Sequence, residues 1–120
     1  METPITVLIV DDHPATREGL RALVDEIFTV VGEAGNGAEA VYLVGERHPQ
    51  VVLLSSRLPE VDGLAATRAI KSCRPQTRVI VLALHAHECA AAWAAGADAC
   101  LLKGCSREEL IAAIHKLGSL

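Results

Sequence analysis

Short, unbroken apolar runs alternate along this chain with segments of helical period, and this alternation limits the possible fold more than any other feature. The runs lack the polar residue at every second position that marks a strand with one solvated face. They therefore predict strands buried on both faces, as in a parallel sheet covered by helices. The runs are residues 5–10, 51–54, 79–84 and 99–102, with a weaker one at 29–34.

The segments between the runs carry the sequence signals of helices. Pro14 suits the first turn of the first helix, and Asn36 can cap a second helix that continues through Arg47. Ser106 and Glu109 form a capping box at the start of the last helix. Residues at helical spacing support these assignments: Leu20, Leu23, Val24 and Ile27 in the first helix, Leu64, Thr67 and Ile70 in the third, the alanine-rich segment 87–95 for the fourth, and Leu110, Ile111, Ile114 and Leu117 in the fifth. The pattern predicts an α/β fold in a single domain over residues 1–120, with a doubly wound, five-stranded parallel sheet and five helices.

Charge and composition exclude several classes of function. The chain has 11 basic and 15 acidic residues, for a net charge of −4, and its basic residues are scattered. It therefore lacks the basic stripe of a nucleic-acid-binding surface. One Trp, one Tyr and one Phe are too few for an aromatic platform that stacks bases or sugars. Any DNA binding would belong to a separate module beyond Leu120.

The cysteines and the apolar runs bear on the cellular compartment. Cys73, Cys89, Cys100 and Cys105 form no C-x-x-C pair and have no zinc-site spacing. No apolar run is long enough to span a membrane, and the first residues do not resemble a signal peptide. We therefore expect a cytoplasmic protein with reduced thiols and no membrane contact. Cys100 is predicted to be a small buried hydrophobic residue, with a redox sensor as the alternative.

Polar residues cluster where the predicted strands end. In a doubly wound sheet, ligands bind at the carboxyl ends of the strands, so these positions are the candidate site. Asp11, Asp12 and His13 follow the first strand, and residues 55–62 follow the third. Residues 83–87 follow the fourth strand, and Lys103 follows the fifth.

Four segments at these strand ends resemble the motifs of bacterial response-regulator receiver domains, the CheY-like fold. They are residues 7–14, which read VLIVDDHP, with 57–64, 94–97 and 101–103. The resemblance covers residues 5–117, and it implies the flavodoxin-like arrangement of sheet and helices. The Asp-Asp-His-Pro sequence and the Lys103-Gly104 pair are similar to receivers of LuxR/NarL-type transcription regulators. That branch implies a helix-turn-helix DNA-binding domain that is absent from this chain.

The resemblance implies a phosphotransfer site that depends on Mg²⁺, and only part of that site is present. Asp11 and Asp12 match the acidic pair that holds the metal, and Lys103 matches the lysine that holds the phosphate. Pro59 places Ser55 at the position of the phosphoacceptor aspartate, four residues earlier. At two further positions, Ala83 stands for the hydroxyl residue and Cys100 for the aromatic switch.

These departures predict a pseudo-receiver that is not regulated by phosphate. A serine hydroxyl is neutral, needs a general base to attack, and is a weaker Mg²⁺ ligand than a carboxylate. We expect no required cofactor, at most a weak Mg²⁺ site, and no enzyme activity. Lys103 is expected to pair with Asp12 or Asp11, which keeps that carboxylate ionised.

Several alternatives remain open on the sequence alone. Another acidic residue, such as Asp62, could accept phosphate, or the domain could bind a small ligand. His85 and His87 with Cys89 could bind a metal. In the leading interpretation, a pseudo-receiver, regulation comes instead from homodimerisation through receiver surfaces, from a regulatory protein or from a small ligand. Trp93 could anchor such a partner.

Overall fold

Five parallel strands form one sheet in the computed structural model, which describes residues 3–120. The strand order is β2-β1-β3-β4-β5, so the chain reverses its direction across the sheet once, where the connection from β2 to β3 passes β1. The strands are β1 (Thr6–Val10), β2 (Thr29–Ala34), β3 (Val51–Ser55), β4 (Arg78–Ala83) and β5 (Ala99–Leu102). All neighbouring pairs are parallel, which confirms the predicted doubly wound α/β fold.

Four helices connect these strands and a fifth follows β5, as the sequence pattern predicts. They are α1 (Pro14–Val24), α2 (Gly37–Arg47), α3 (Gly63–Cys73), α4 (Glu88–Ala94) and α5 (Arg107–Gly118). The predicted caps are present: the Asn36 side chain accepts a hydrogen bond from Glu39 N at 2.8 Å, and Ser106 Oγ accepts one from Glu109 N at 3.1 Å. Each cap satisfies a backbone donor that has no partner within its helix.

The first helix ends earlier than predicted, and the third has an N-cap that the sequence analysis did not identify. The apolar stripe of the first helix was expected to reach Ile27, but α1 ends at Val24, and Phe28 is buried beyond it. At the start of α3, Asp62 is the N-cap, and its side chain accepts a hydrogen bond from Ala65 N at 2.8 Å. This carboxylate is therefore already used to begin a helix.

The strand residues alternate between two apolar clusters, one on each face of the sheet. On one face, Val52 and Leu54 pack in a cluster with side chains of α2, α3 and α4. On the other face, Leu53 packs in a cluster with side chains of α1 and α5. Both layers are closed to solvent, which explains why the strand sequences lack polar alternation. None of the helices in the described range 3–120 has the length and apolar character needed to cross a membrane.

The loop after β3 is held against the first turn of α3. Gly63 opens this helix, and a Cβ atom at that position would overlap the carbonyl oxygen of Ser55. Only glycine allows this close approach of two backbones. The packing fixes the carboxyl end of β3 beside the ends of β1 and β4, where the candidate site lies.

Candidate functional site

Asp11 lies at the centre of the strand-end site. It follows β1, is 1% exposed, and accepts a hydrogen bond through Oδ1 from the backbone N–H of His13 at 2.9 Å. Lys103 Nζ lies 3.0 Å from Asp11 Oδ2, and Lys103 N donates to the carbonyl of Ala83 at 2.7 Å. The predicted ion pair is therefore confirmed, with Asp11 as the partner. It links the ends of β1 and β5 across 92 residues of sequence.

Asp12 and His13 lie at the solvent side of the same site. His13 Nδ1 is 3.1 Å from Asp12 Oδ1 and 3.5 Å from Asp11 Oδ1. The His13 side chain is exposed, and its residue caps α1 without a side-chain hydrogen bond. Among the residues from 3 to 120, these three form the one group of metal-ligating side chains that converges, with ligand atoms within 4.8 Å of one another.

Ser55 ends β3 and is 1% exposed. Its hydroxyl donates a hydrogen bond to the backbone carbonyl of Arg57 at 3.1 Å. A carbonyl oxygen is too weak a base to remove a proton from an alcohol, so this contact does not activate the hydroxyl. Throughout the described part of the chain, no carboxylate accepts a hydrogen bond from Ser55 Oγ. The hydroxyl thus shapes the following loop rather than forming a nucleophile–base pair.

Ala83 ends β4 next to Ser55 in the sheet. It is fully buried, and it contributes a methyl group at the position that the resemblance assigns to a hydroxyl residue. Its carbonyl accepts the hydrogen bond from Lys103 N described above. The floor of the site therefore offers one buried carboxylate, one ammonium group, one engaged hydroxyl and one methyl group.

Glu88 is a functional-site residue that the sequence analysis missed. Its Oε1 accepts hydrogen bonds from the backbone N–H groups of Leu84 at 2.8 Å and His85 at 3.0 Å. Its Oε2 accepts one from Arg57 Nε at 3.0 Å, and Ser56 Oγ lies 3.5 Å from Oε1. One carboxylate therefore ties the loop after β4 to the loop after β3. The available signal was an acidic residue in the first turn of a predicted helix.

The contacts of Glu88 strongly favour its charged form. The backbone hydrogen bond from His85, the contact with Arg57 and the hydrogen bond from Leu84 lower the pKa of Glu88 to about 2, against an opposing effect of burial. An anion held by several donors resists protonation. The loop after β4 is therefore held by a carboxylate that stays charged at neutral pH.

Acid is expected to weaken this contact, which gives a pH-dependent stability. A carboxyl whose folded pKa lies below its unfolded value stabilises the fold above about pH 4.5, and that contribution is lost as the pH falls towards 2. The parent protein should therefore exceed the Glu88→Gln variant in unfolding free energy at pH 7, and the difference should shrink between pH 5 and about pH 2.5. Urea denaturation at several pH values measures it. Glu46→Gln, on the exposed surface of α2, is the matched control for loss of one carboxylate. A pH-independent difference for Glu88→Gln would contradict the assignment.

A family model for the response regulator receiver domain matches residues 7–115. This chain belongs to the response regulator receiver domain family. The nitrate/nitrite response regulator protein NarL of Escherichia coli K12 is 34% identical over 119 residues, which cover 96% of this chain and 55% of that protein. The response regulator UvrY of the same organism is 36% identical over 119 residues, again with 96% and 55% covered. The receiver spans about half the length of these curated relatives.

Solved structures agree with this family assignment. The signal receiver domain of a NarL response regulator from Mycobacterium tuberculosis superposes with a TM-score of 0.92 at 33% identity, and the match covers 98% of each chain. A LuxR-family two-component response regulator from Aurantimonas sp. SI85-9A1 gives a TM-score of 0.90 at 32% identity, covering 98% of this chain and 86% of that one. The suspected resemblance is therefore confirmed along nearly the whole chain.

The residues of this receiver fit a magnesium ion poorly. Mg²⁺ requires nearly octahedral oxygen ligands and favours carboxylates. Both oxygens of Asp11 already accept hydrogen bonds, one of them from the Lys103 ammonium group, and the Ser55 hydroxyl is directed to Arg57. Asp12 remains as the exposed acidic ligand.

A disulfide joins Cys89 in α4 to Cys100 in β5, with 5.6 Å between their Cα atoms. The expectation of reduced thiols is therefore wrong for this pair, as is the expectation that Cys100 is a simple buried hydrophobic residue. Both cysteines are partly exposed. Their 11-residue separation matches no short motif, and only the crossing of α4 over β5 brings them together. Cys73 and Cys105 remain free thiols.

The disulfide also bears on the alternative metal site in the loop after β4. His85 and His87 stack with ring centroids 5.5 Å apart, but Cys89 is committed to its bond with Cys100. A disulfide sulfur cannot act as the thiolate ligand that a metal requires. The proposed group of two imidazoles and a thiolate is therefore not formed.

Proposed function

We propose that this receiver is a pseudo-receiver, a regulatory and dimerisation module whose state does not depend on aspartyl phosphorylation. The observation that carries the proposal is the buried Ser55 hydroxyl at the end of β3, which donates to the Arg57 carbonyl. The phosphoacceptor of a receiver must be an anion that attacks a phosphoryl group and also ligates Mg²⁺. Ser55 supplies neither property.

Two internal contacts support this proposal because they hold the site without phosphate. Lys103, the residue expected to contact a phosphoryl group, is paired with Asp11 at 3.0 Å. Glu88 places its own carboxylate against the N–H groups of Leu84 and His85. The cation and the backbone donors near the site are thus already matched by anions of this chain.

The proposal extends to the protein that contains this domain. Since the matched relatives are about twice as long, we place the receiver ahead of a LuxR/NarL-type helix-turn-helix domain that would bind DNA. The domain would act in the cytoplasm, without enzyme activity and without a required cofactor. At most, Asp11 and Asp12 would hold a weak Mg²⁺ ion.

A homodimer is the expected assembly. Exposed apolar side chains support an interface on the side of the domain formed by α4, β5 and α5. Trp93 is 54% exposed on α4, Leu102 is 42% exposed at the end of β5, and Leu84 is 47% exposed in the loop between β4 and α4. Large apolar side chains that remain in solvent are common anchors of protein interfaces. A regulatory protein could use the same surface.

A small apolar ligand is the second candidate signal. A cleft of about 340 Å³ lies between α1 and the segment from β5 to α5. Its lining includes Leu20, Leu23 and Leu110, with the aliphatic part of Lys103 at one side. Since Lys103 also pairs with Asp11, an occupant of this cleft would contact the strand-end site directly.

Phosphorylation by a small-molecule donor tests the proposed function. After incubation with acetyl phosphate and Mg²⁺, the intact mass should be unchanged. Neither Ser55 nor Asp62, which caps α3, offers an activated acceptor. A receiver with an intact aspartate serves as the positive control. A stable or transient phosphoryl adduct on this chain would contradict the proposal, and its position would identify the acceptor.

A further inference from the structure

We propose that Cys89 and Cys100 form a reversible redox-modification site that controls how firmly α4 is held to the sheet. The reaction partner would be a low-molecular-weight disulfide of the glutathione class. The proposal goes beyond the proposed function, because it does not depend on whether this receiver accepts phosphate. It rests on the placement of the two cysteines, their partial exposure to solvent and the short length of α4.

The two cysteines join a short helix to a strand at the edge of the sheet. Cys89 lies in the first turn of α4, and Cys100 is the second residue of β5, an edge strand. Their Cα atoms are 5.6 Å apart, within the range that a disulfide spans without backbone movement. Both residues are partly exposed, so the pair lies at the edge of the apolar core and not inside it.

The helix that carries Cys89 depends on few other contacts. Helix α4 has seven residues, and Ala92 is the one buried residue within it. A helix of this length is unstable in isolation and must be held by tertiary contacts. At its start, Glu88 ties it to Arg57 and to the preceding loop. The disulfide is a second attachment of this first turn, so its reduction would leave the turn held by Glu88 and the rest of the helix held by the packing of Ala92.

The other cysteines are poorly placed for the same role. Cys73 lies at the end of α3, and its thiol donates a hydrogen bond to the Ala69 carbonyl within that helix. Burial raises the pKa of the Cys105 thiol, with a further contribution from Glu109, so this thiol is a slow nucleophile near neutral pH. Neither is bonded to a second cysteine.

The chemistry balances as two successive thiol–disulfide exchanges. One cysteine thiolate attacks the small disulfide, which gives a mixed disulfide and releases one small thiolate. The second cysteine thiolate then attacks the protein sulfur of that mixed disulfide and releases the other small thiolate. The two protons lost by Cys89 and Cys100 are taken up by the two leaving groups. The cysteine pair is oxidised by two electrons, and one small disulfide is reduced to two thiols.

The redox state of the cysteine pair would affect the exposed surface of α4 and β5. Trp93 lies four residues after Cys89 and therefore on the same face of α4. Leu102 lies two residues after Cys100 and therefore on the same face of β5. The bond thus lies next to the apolar side chains that we expect to form a partner surface. Its cleavage would change their spacing.

A thiol count combined with amide hydrogen exchange tests the proposal. The Cys73→Ser/Cys105→Ser variant retains only the proposed pair, and it is equilibrated with mixtures of reduced and oxidised glutathione. Alkylation and intact mass should give no free thiols at the oxidised end and both free thiols at the reduced end, with a mass difference of about 2 Da before alkylation. On reduction, amides of residues 84–95 should exchange about tenfold faster, while those of β1 and β3 stay protected.

Trp93 provides an independent measurement on the unmodified protein, because it is the single tryptophan of the chain. Its fluorescence should differ between the oxidised protein and the protein reduced by dithiothreitol. Cys89→Ser and Cys100→Ser should each resemble the reduced state and lose the response. If either variant does not fold, reduction of the unmodified protein gives the same comparison.

Three outcomes would overturn the proposal: a pair that stays reduced in oxidised glutathione, a pair that stays oxidised in the folded protein under strong reductant, or an oxidation state that leaves the exchange of α4 unchanged. None of these measurements uses a phosphoryl donor. Failure here is therefore distinguishable from failure of the proposed function, which is read from a phosphoryl adduct.

Discussion

Ser55→Asp combined with Ala83→Thr is expected to bind beryllofluoride in the presence of Mg²⁺, whereas the parent protein does not. The new carboxylate restores a third acidic group beside Asp11 and Asp12, and it supplies the anionic oxygen that beryllofluoride requires. The threonine hydroxyl replaces the buried methyl group at the end of β4. At a ligand concentration 100-fold above Kd, binding should stabilise the variant by about 2.7 kcal/mol. Thermal denaturation with and without Mg²⁺ and beryllofluoride measures this effect as a rise in Tm.

A matched control separates charge from shape in this experiment. Ser55→Asn combined with Ala83→Thr has nearly the same volume as the repaired variant but lacks the anion, so it should show no shift in Tm. The geometry also has to adjust, since Lys103 must turn from Asp11 to the bound group. Equal binding of beryllofluoride by the parent and the repaired variant would refute the account of Ser55.

Lys103→Met is expected to destabilise the domain by about 2–3 kcal/mol at pH 7, because it leaves a buried carboxylate without its cation. Asp11 is 1% exposed, and within residues 3–120 Lys103, at 3.0 Å, is its one cationic partner apart from the exposed His13. The value lies at or below the lower end of the range for fully buried pairs, since 24% of the Lys103 side chain is exposed. Urea denaturation gives the free energy of unfolding directly.

Combining Lys103→Met with Asp11→Asn in one variant tests whether the loss comes from the ion pair. Removing both charges should recover much of the stability that Lys103→Met loses, because the penalty comes from the unpaired anion and not from the missing lysine. Lys116→Met, at an exposed position of α5, is the control for loss of a lysine. If Lys103→Met and Lys116→Met differ by less than about 0.5 kcal/mol, the ion pair contributes little.

The fold and the position of the site could be predicted because they depend on signals that are local in sequence. Continuous apolar runs such as 51–54 indicate strands covered on both faces, and caps such as Asn36 mark where helices begin. The order of strand ends then places Lys103 near Asp11 without knowledge of any distance. The ion pair between them follows from charge, and the structure confirms it.

The features that escaped prediction depend on tertiary contacts between segments without a shared motif. Glu88 is one acidic residue among 15 until the loop after β3 brings Arg57 within 3.0 Å of it. Cys89 and Cys100 resemble ordinary small residues until α4 crosses β5. Asp62 was considered as a phosphoacceptor because its role as a helix cap becomes visible only when the start of α3 is known. In each case the residue type suggested a role, but the sequence did not show which residue it contacts.

The sheet separates the apolar core of the domain into two clusters that pack independently of each other. Side chains of α1 and α5 meet only the odd-numbered residues of β3, and those of α2, α3 and α4 meet only the even-numbered ones. Substitutions in the helices that cover one face should therefore have little effect on the packing of the helices on the opposite face.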